Sequence, residues 1–96
     1  MRNLEEKLKR ATEILRSMGA TRVLLFGSAV EHPDTARDVD LAVEGIPPEK
    51  ILAADVAVYR ELEAPLDLVS REDNPAFFEV IRDYSRTLYE QSQAGA

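Results

Sequence analysis

VLLFGSAVEHPDTARDVDLAV, residues Val23 to Val43, holds two strand-like segments joined by a polar excursion. Val23 to Phe26 is a short continuous apolar run, the pattern of a buried strand, and Gly27-Ser28 breaks it. From Asp38 to Val43 acids alternate with aliphatics. In a strand, residues i and i+2 share a face, so the Asp38 and Asp40 carboxylates stand side by side with their α-carbons about 6.6 Å apart. Val39, Leu41 and Val43 take the other face. Two like charges so placed repel, and in an otherwise apolar strand they point to a positive partner between them, most commonly a divalent metal.

Outward from this stretch the chain alternates helix and strand. Leu4, Leu8, Ala11, Leu15 and Met18 recur at four- and three-residue steps, predicting an amphipathic helix that ends at a left-handed Gly19. Ser28 to Glu31 allows one helical turn before Pro33, and Glu31 to Arg37 has the chemistry of an exposed loop. Pro47-Pro48 can launch a second long helix with Ile51, Ala54, Val58 and Leu62 inward, ending before Pro65. Leu66-Asp67-Leu68-Val69 reads as a third strand. Asp73-Asn74-Pro75 is a helix start, and Phe77, Ile81, Tyr84 and Leu88 are expected on the buried side of a final helix. Phe78 and Tyr89 would lie just outside that stripe, either widening the core contact or belonging to a partner-facing patch, and the tail QSQAGA is expected to fray.

This order, helix-strand-strand-helix-strand-helix, predicts a single α/β (α+β) domain over 1–96, with helices packed on a small mixed sheet of three strands. The connection between the second and third strands is long enough for a parallel crossover, while the loop joining the first two permits either direction.

Composition narrows the function classes. The chain is 45% hydrophobic and 31% charged, with no cysteine, which leaves no disulfide, thiolate zinc site or thiol nucleophile. No apolar run approaches the roughly 18 residues needed to span a bilayer, and the charged start MRNLEEKLKR does not read as a secretory signal, so a cytoplasmic protein without a membrane partner is expected. The net charge of −6 argues against a broad nucleic-acid surface. Residues 1 to 22 nevertheless hold six of the twelve basic residues and three acids. Such a segment is either a solvated helix face or a docking surface for an acidic partner.

Asp38, Asp40 and Asp67 fall on two strands that can be neighbours, about 4.8 Å apart, and an all-oxygen carboxylate site suits Mg²⁺ or Mn²⁺ bound jointly with phosphates. Gly27 lets a backbone approach a phosphate, Ser28 offers a hydroxyl, and the following turn presents amides. Together these are the minimum for phosphoryl or nucleotidyl transfer.

FGSAVEHPDTARDVDLAV followed by PLDLV resembles the signature of the minimal nucleotidyltransferases, small members of the DNA polymerase β superfamily: Gly-Ser, about ten residues, Asp-x-Asp, and a third Asp one strand later. Nine residues, Ala29 to Arg37, fill the spacer, and Ala29-Val30 stand where many relatives carry arginine or other polar residues. The resemblance implies that Asp38 and Asp40 bind two Mg²⁺ ions and through them the ATP phosphates. It implies that Asp67 binds one metal and helps to deprotonate the attacking hydroxyl, and that Gly27 and Ser28 hold the triphosphate. The implied reaction is in-line attack on the α-phosphorus with pyrophosphate leaving. It further implies an antitoxin that attaches AMP to an all-helical HEPN toxin, since 96 residues leave no room for an acceptor lobe and a HEPN-type partner or homo-oligomer must complete the acceptor site.

Other readings compete. The acceptor could be a small molecule such as an aminoglycoside, with a second chain completing the pocket, or the domain could neutralise a partner by binding alone. Asp38 and Asp40 could serve only as edge acids that discourage strand pairing. An EF-hand fails, because the segment from Asp38 has Ala42 where position 5 needs an oxygen ligand and Val43 where position 6 needs glycine. His32, the only histidine, reads as a solvated loop residue or, failing that, as a contact to substrate or nucleotide.

Overall fold

A computed structural model describes residues 3–92 as α1 (Leu4–Ser17), β1 (Arg22–Phe26), α2 (Ser28–Glu31), β2 (Val39–Glu44), α3 (Ile51–Leu62), β3 (Leu66–Ser70), α4 (Pro75–Ile81) and β4 (Arg86–Glu90). Single 3₁₀ turns at Pro48–Lys50 and Arg82–Tyr84 lead into α3 and out of α4. The four strands form one mixed sheet in the order β3-β2-β1-β4. β1 runs antiparallel to β2 and β4, and β2 runs parallel to β3 through the α3 crossover.

The alternation in β2 sorts the two sides of the sheet. Val39, Leu41 and Val43 are fully buried in one cluster with Leu4, Leu8, Ala11 and Leu15 of α1 and Ala54, Val58 and Leu62 of α3. Each large side chain enclosed there contributes about 1.5–3 kcal/mol relative to exposure. Ala42 faces the other way, joining Leu24 under Phe78 and Ile81 of α4. Leading helix, crossover helix and sheet thus follow the expected pattern, and the α/β class with it.

α1 stops where Gly19 turns left-handed at φ 113°. The Gly19 and Ala20 amides donate to the Arg16 and Leu15 carbonyls at 3.1 and 3.0 Å, which satisfies carbonyls that the last helical turn leaves open. Arg10 of α1 reaches Glu61 of α3 at 3.1 Å, and the Arg86 guanidinium of β4 grips both Glu5 carboxylate oxygens of α1. That grip holds the Glu5 carboxyl below the usual carboxylate range. Such exposed pairs set the orientation of elements more than they stabilise them.

The final helix departs from expectation. It ends at Ile81, and Arg86–Glu90 form a fourth strand against β1 in place of further helix. Its phase is shifted as well: Phe78 is fully buried, whereas Phe77 and Tyr84, expected inward, are exposed. Leu88 is half-buried on β4, where it and Tyr89 pack against the main core. The physical reason is the edge of β1, whose backbone groups take a ladder partner in Arg-Thr-Leu-Tyr-Glu, a segment with two residues of good strand propensity. Of the tail, residues 93–96 lie outside the described residues.

At one end of the sheet, charges are matched. Arg22 contacts Glu44 at 3.6 Å and Glu90 at 3.2 Å, and Arg71 contacts Glu44 at 2.9 Å. The opposite end carries the candidate site.

Candidate active site

The site forms where β1 leaves the sheet and β2 enters it. Phe26, the last residue of β1, is the register partner of Asp40, and Asp40 is in turn the register partner of Asp67 on β3. Asp40 and Asp67 therefore sit on adjacent strands at the same level, about 4.8 Å apart along the hydrogen-bonding direction. Asp38 lies one residue before β2 and two before Asp40. Asp38 and Asp67 are exposed and Asp40 is half-buried. All belong to the α4 side of the sheet, because Val39 and Leu41 point into the helical cluster on the other side.

The acids sense one another. Asp40 is pushed above the ordinary aspartate range, first by loss of solvent and then by the charges of Asp67 and Asp38. Among the described residues no basic side chain pairs with any of the three. The contrast with the matched far end makes this a local concentration of uncompensated negative charge.

Gly27 closes the other side. Its backbone, at φ 76° and ψ −153°, is a conformation open essentially to glycine alone. A Cβ placed on it would overlap the Asp40 carboxylate and meet its Cγ at 3.1 Å. The bend is thus pressed directly against the central acid. Its carbonyl accepts from the Val30 and Glu31 amides at 3.0 and 3.3 Å, starting the short α2 with Ser28 exposed as its first residue. Ala29 is buried and Val30 packs on the core, so both anchor this turn to the sheet. Small apolar residues after Ser28 therefore have a packing reason. His32 is exposed in the loop, as expected, and Arg37 is exposed next to Asp38.

Two residues at the site escaped the sequence reading. Phe26, the residue before Gly27, and Phe77 make an edge-to-face pair with ring centroids 5.8 Å apart. The signal was present in the Phe77-Phe78 doublet, one ring of which must turn outward on any helix, but sequence alone does not say which.

The donor set suits a hard divalent cation: carboxylates only, mutually repelling, without a basic partner and next to a backbone cradle that a side chain would fill. Among the described residues no three acidic or histidine side chains are already drawn together tightly enough to chelate an ion. Asp40 and Asp67 in register are the groups that would hold one, with Asp38 beside them.

This architecture is the nucleotidyltransferase-like fold. The chain is similar to a chain of a toxin–antitoxin complex solved with AMP-PNP, at 18% identity and a TM-score of 0.73, over 95% of this chain and 77% of that one. A mutant MntA–HepT complex, with glutamate at two aspartate positions separated by one residue, aligns at 15% identity and a TM-score of 0.72, covering 91% and 75% of the two chains. A complex of tri-AMPylated Shewanella oneidensis HEPN toxin with its minimal nucleotidyltransferase antitoxin aligns at 18% identity and a TM-score of 0.71, covering 94% and 75%. No protein-family model and no curated protein sequence matches the chain. At these identities the likeness rests on the fold.

Proposed function

We propose that this chain, acting as a single domain, is a Mg²⁺-dependent nucleotidyltransferase that moves AMP from ATP to a hydroxyl of a HEPN-type protein, the antitoxin half of a toxin–antitoxin pair in the cytoplasm. The observation that carries this reading is the Asp40–Asp67 register pair with Gly27 pressed against Asp40. The solved relatives support it: one holds AMP-PNP and another an AMPylated HEPN toxin. Among the described residues no helix is long and apolar enough to cross a membrane.

In this mechanism Gly27 admits the triphosphate close to the backbone and Ser28 donates its hydroxyl to a phosphate oxygen. Asp38 and Asp40 would hold Mg²⁺, and Asp67 would complete its carboxylate set. Bound there, Mg²⁺ would neutralise the phosphates and stabilise charge on the entering and leaving oxygens. The acceptor oxygen forms a bond to the α-phosphorus as the bond to the bridging oxygen breaks. Pyrophosphate departs and Asp67 receives the acceptor proton.

The test is incubation with α-labelled ATP, Mg²⁺ and a HEPN-type protein. Label on the protein is the expected outcome. Label on a small molecule such as an aminoglycoside would replace the acceptor, and no label, with the partner still neutralised, would leave a binding module.

A further inference from the structure

α4 and the turn after it show large apolar side chains on two sides. Phe78 and Ile81 are consumed by the sheet, while Phe77, Val80 and Tyr84 stay 44%, 61% and 77% exposed. A three-residue step puts Phe77 and Val80 on one face of α4, and Tyr84 stands exposed in the 3₁₀ turn that follows it. Exposed apolar stripes of this kind mark interaction surfaces in water-soluble domains.

A second stripe exists, Leu52, Val56 and Tyr59 on α3, at 75%, 43% and 54% exposure. The two are not equivalent. α3 covers the sheet face opposite the acids, whereas α4 covers the face that carries them. Phe77 also meets Phe26, the register partner of Asp40, so the α4 stripe runs without interruption to the edge of the site.

Charge around the stripe is predominantly negative. Arg82 is tied to Glu79 at 3.2 Å, and Arg22, Arg71 and Arg86 are engaged with glutamates elsewhere. That leaves Asp73 before α4, Asp83 after it and the three site acids, against a single exposed cation beside them, Arg37.

We infer that the outward face of α4, Phe77-Val80-Tyr84, is the docking surface for the protein acceptor, and that it fits an apolar helix face rimmed by lysine or arginine beside the hydroxyl to be modified. The inference rests on the nucleotidyltransferase reading above for its placement beside the reacting centre. An apolar strip with an acidic surround selects an apolar strip with a basic rim, and docking there sets the acceptor against the register pair. A small-molecule acceptor needs no such strip.

The experiment measures direct binding of the unmodified HEPN toxin of the Shewanella oneidensis complex, without nucleotide, to the wild-type chain and to Val80→Asp, Tyr84→Asp and Leu52→Asp. All three positions are exposed, and circular dichroism checks each fold. Val80→Asp and Tyr84→Asp should weaken binding about tenfold or more, with Leu52→Asp equal to wild type, and added salt should weaken the wild-type complex. Unchanged binding by both α4 variants, equal loss in Leu52→Asp, or no binding by the wild type would overturn the assignment. So would wild-type self-association that Val80→Asp abolishes without any toxin binding, which would give the face to a second copy. ATP binding and label transfer are read separately: toxin binding that depends on α4, with no label transferred, would sink the nucleotidyltransferase reading and leave the docking face standing.

Discussion

Gly27 and Asp40 occupy adjoining space so closely that the glycine's missing side chain is where the Asp40 carboxylate lies. One residue is fixed by backbone conformation and the other by strand register, and Gly27 cannot take a side chain without moving the Asp40 carboxylate. Gly27→Ala is therefore expected to destabilise the domain by about 1–3 kcal/mol from backbone strain alone. It should also displace the central acid and abolish nucleotidyl transfer. Urea unfolding and the α-labelled ATP assay read the two effects, and wild-type stability and turnover in this variant would contradict the contact.

Asp40 makes stability fall as pH rises. Its carboxyl is held above the ordinary aspartate range by burial and by Asp67 and Asp38, so between the unfolded and folded values the native state binds more protons than the unfolded chain. In metal-free buffer the Asp40 contribution is most favourable in acid and is lost as pH climbs through its raised value. Asp40→Asn should be more stable than wild type at neutral pH and should flatten this part of the profile, measured by urea midpoints from pH 3 to 7.

A divalent ion should reverse that penalty. At Mg²⁺ about tenfold above its dissociation constant, the wild-type melting temperature is expected to rise by about 5–10 °C. Asp40→Asn should lose most of the rise, and calorimetry with and without chelator decides it.

Asp67→Asn separates binding from chemistry. If the Asp67 carboxylate receives the acceptor proton, label transfer should drop by about 10²–10⁴-fold. ATP binding should stay within about tenfold of wild type. A proportional loss of both would reduce Asp67 to a binding residue.

Phe78→Ala and Phe77→Ala test the phase of α4. Phe78 is fully buried, and its truncation should cost about 3–5 kcal/mol. Phe77 keeps 44% exposure and one aromatic neighbour, so its loss should cost about 1 kcal/mol. Reversed magnitudes would restore the buried stripe expected from spacing.

Local pattern alone settled much of this protein. The alternation in Asp38 to Val43 dictated which side chains of β2 enter the core, because a pleated strand turns successive residues to opposite faces. The four- and three-residue steps of α1 and α3 did the same for the helices, and Gly19 and Pro65 marked ends because only their immediate backbone matters there. The Asp-x-Asp spacing and the glycine before Ser28 were legible for the same reason. What local pattern could not decide was anything set by a partner distant in the chain. Arg86–Glu90 became strand because β1 had an open edge, and Phe78 turned inward because Leu24 and Ala42 left room for it. That Asp67 lies level with Asp40, and that Gly27 abuts the same carboxylate, depends on strand register, a relation between segments that no window of sequence contains.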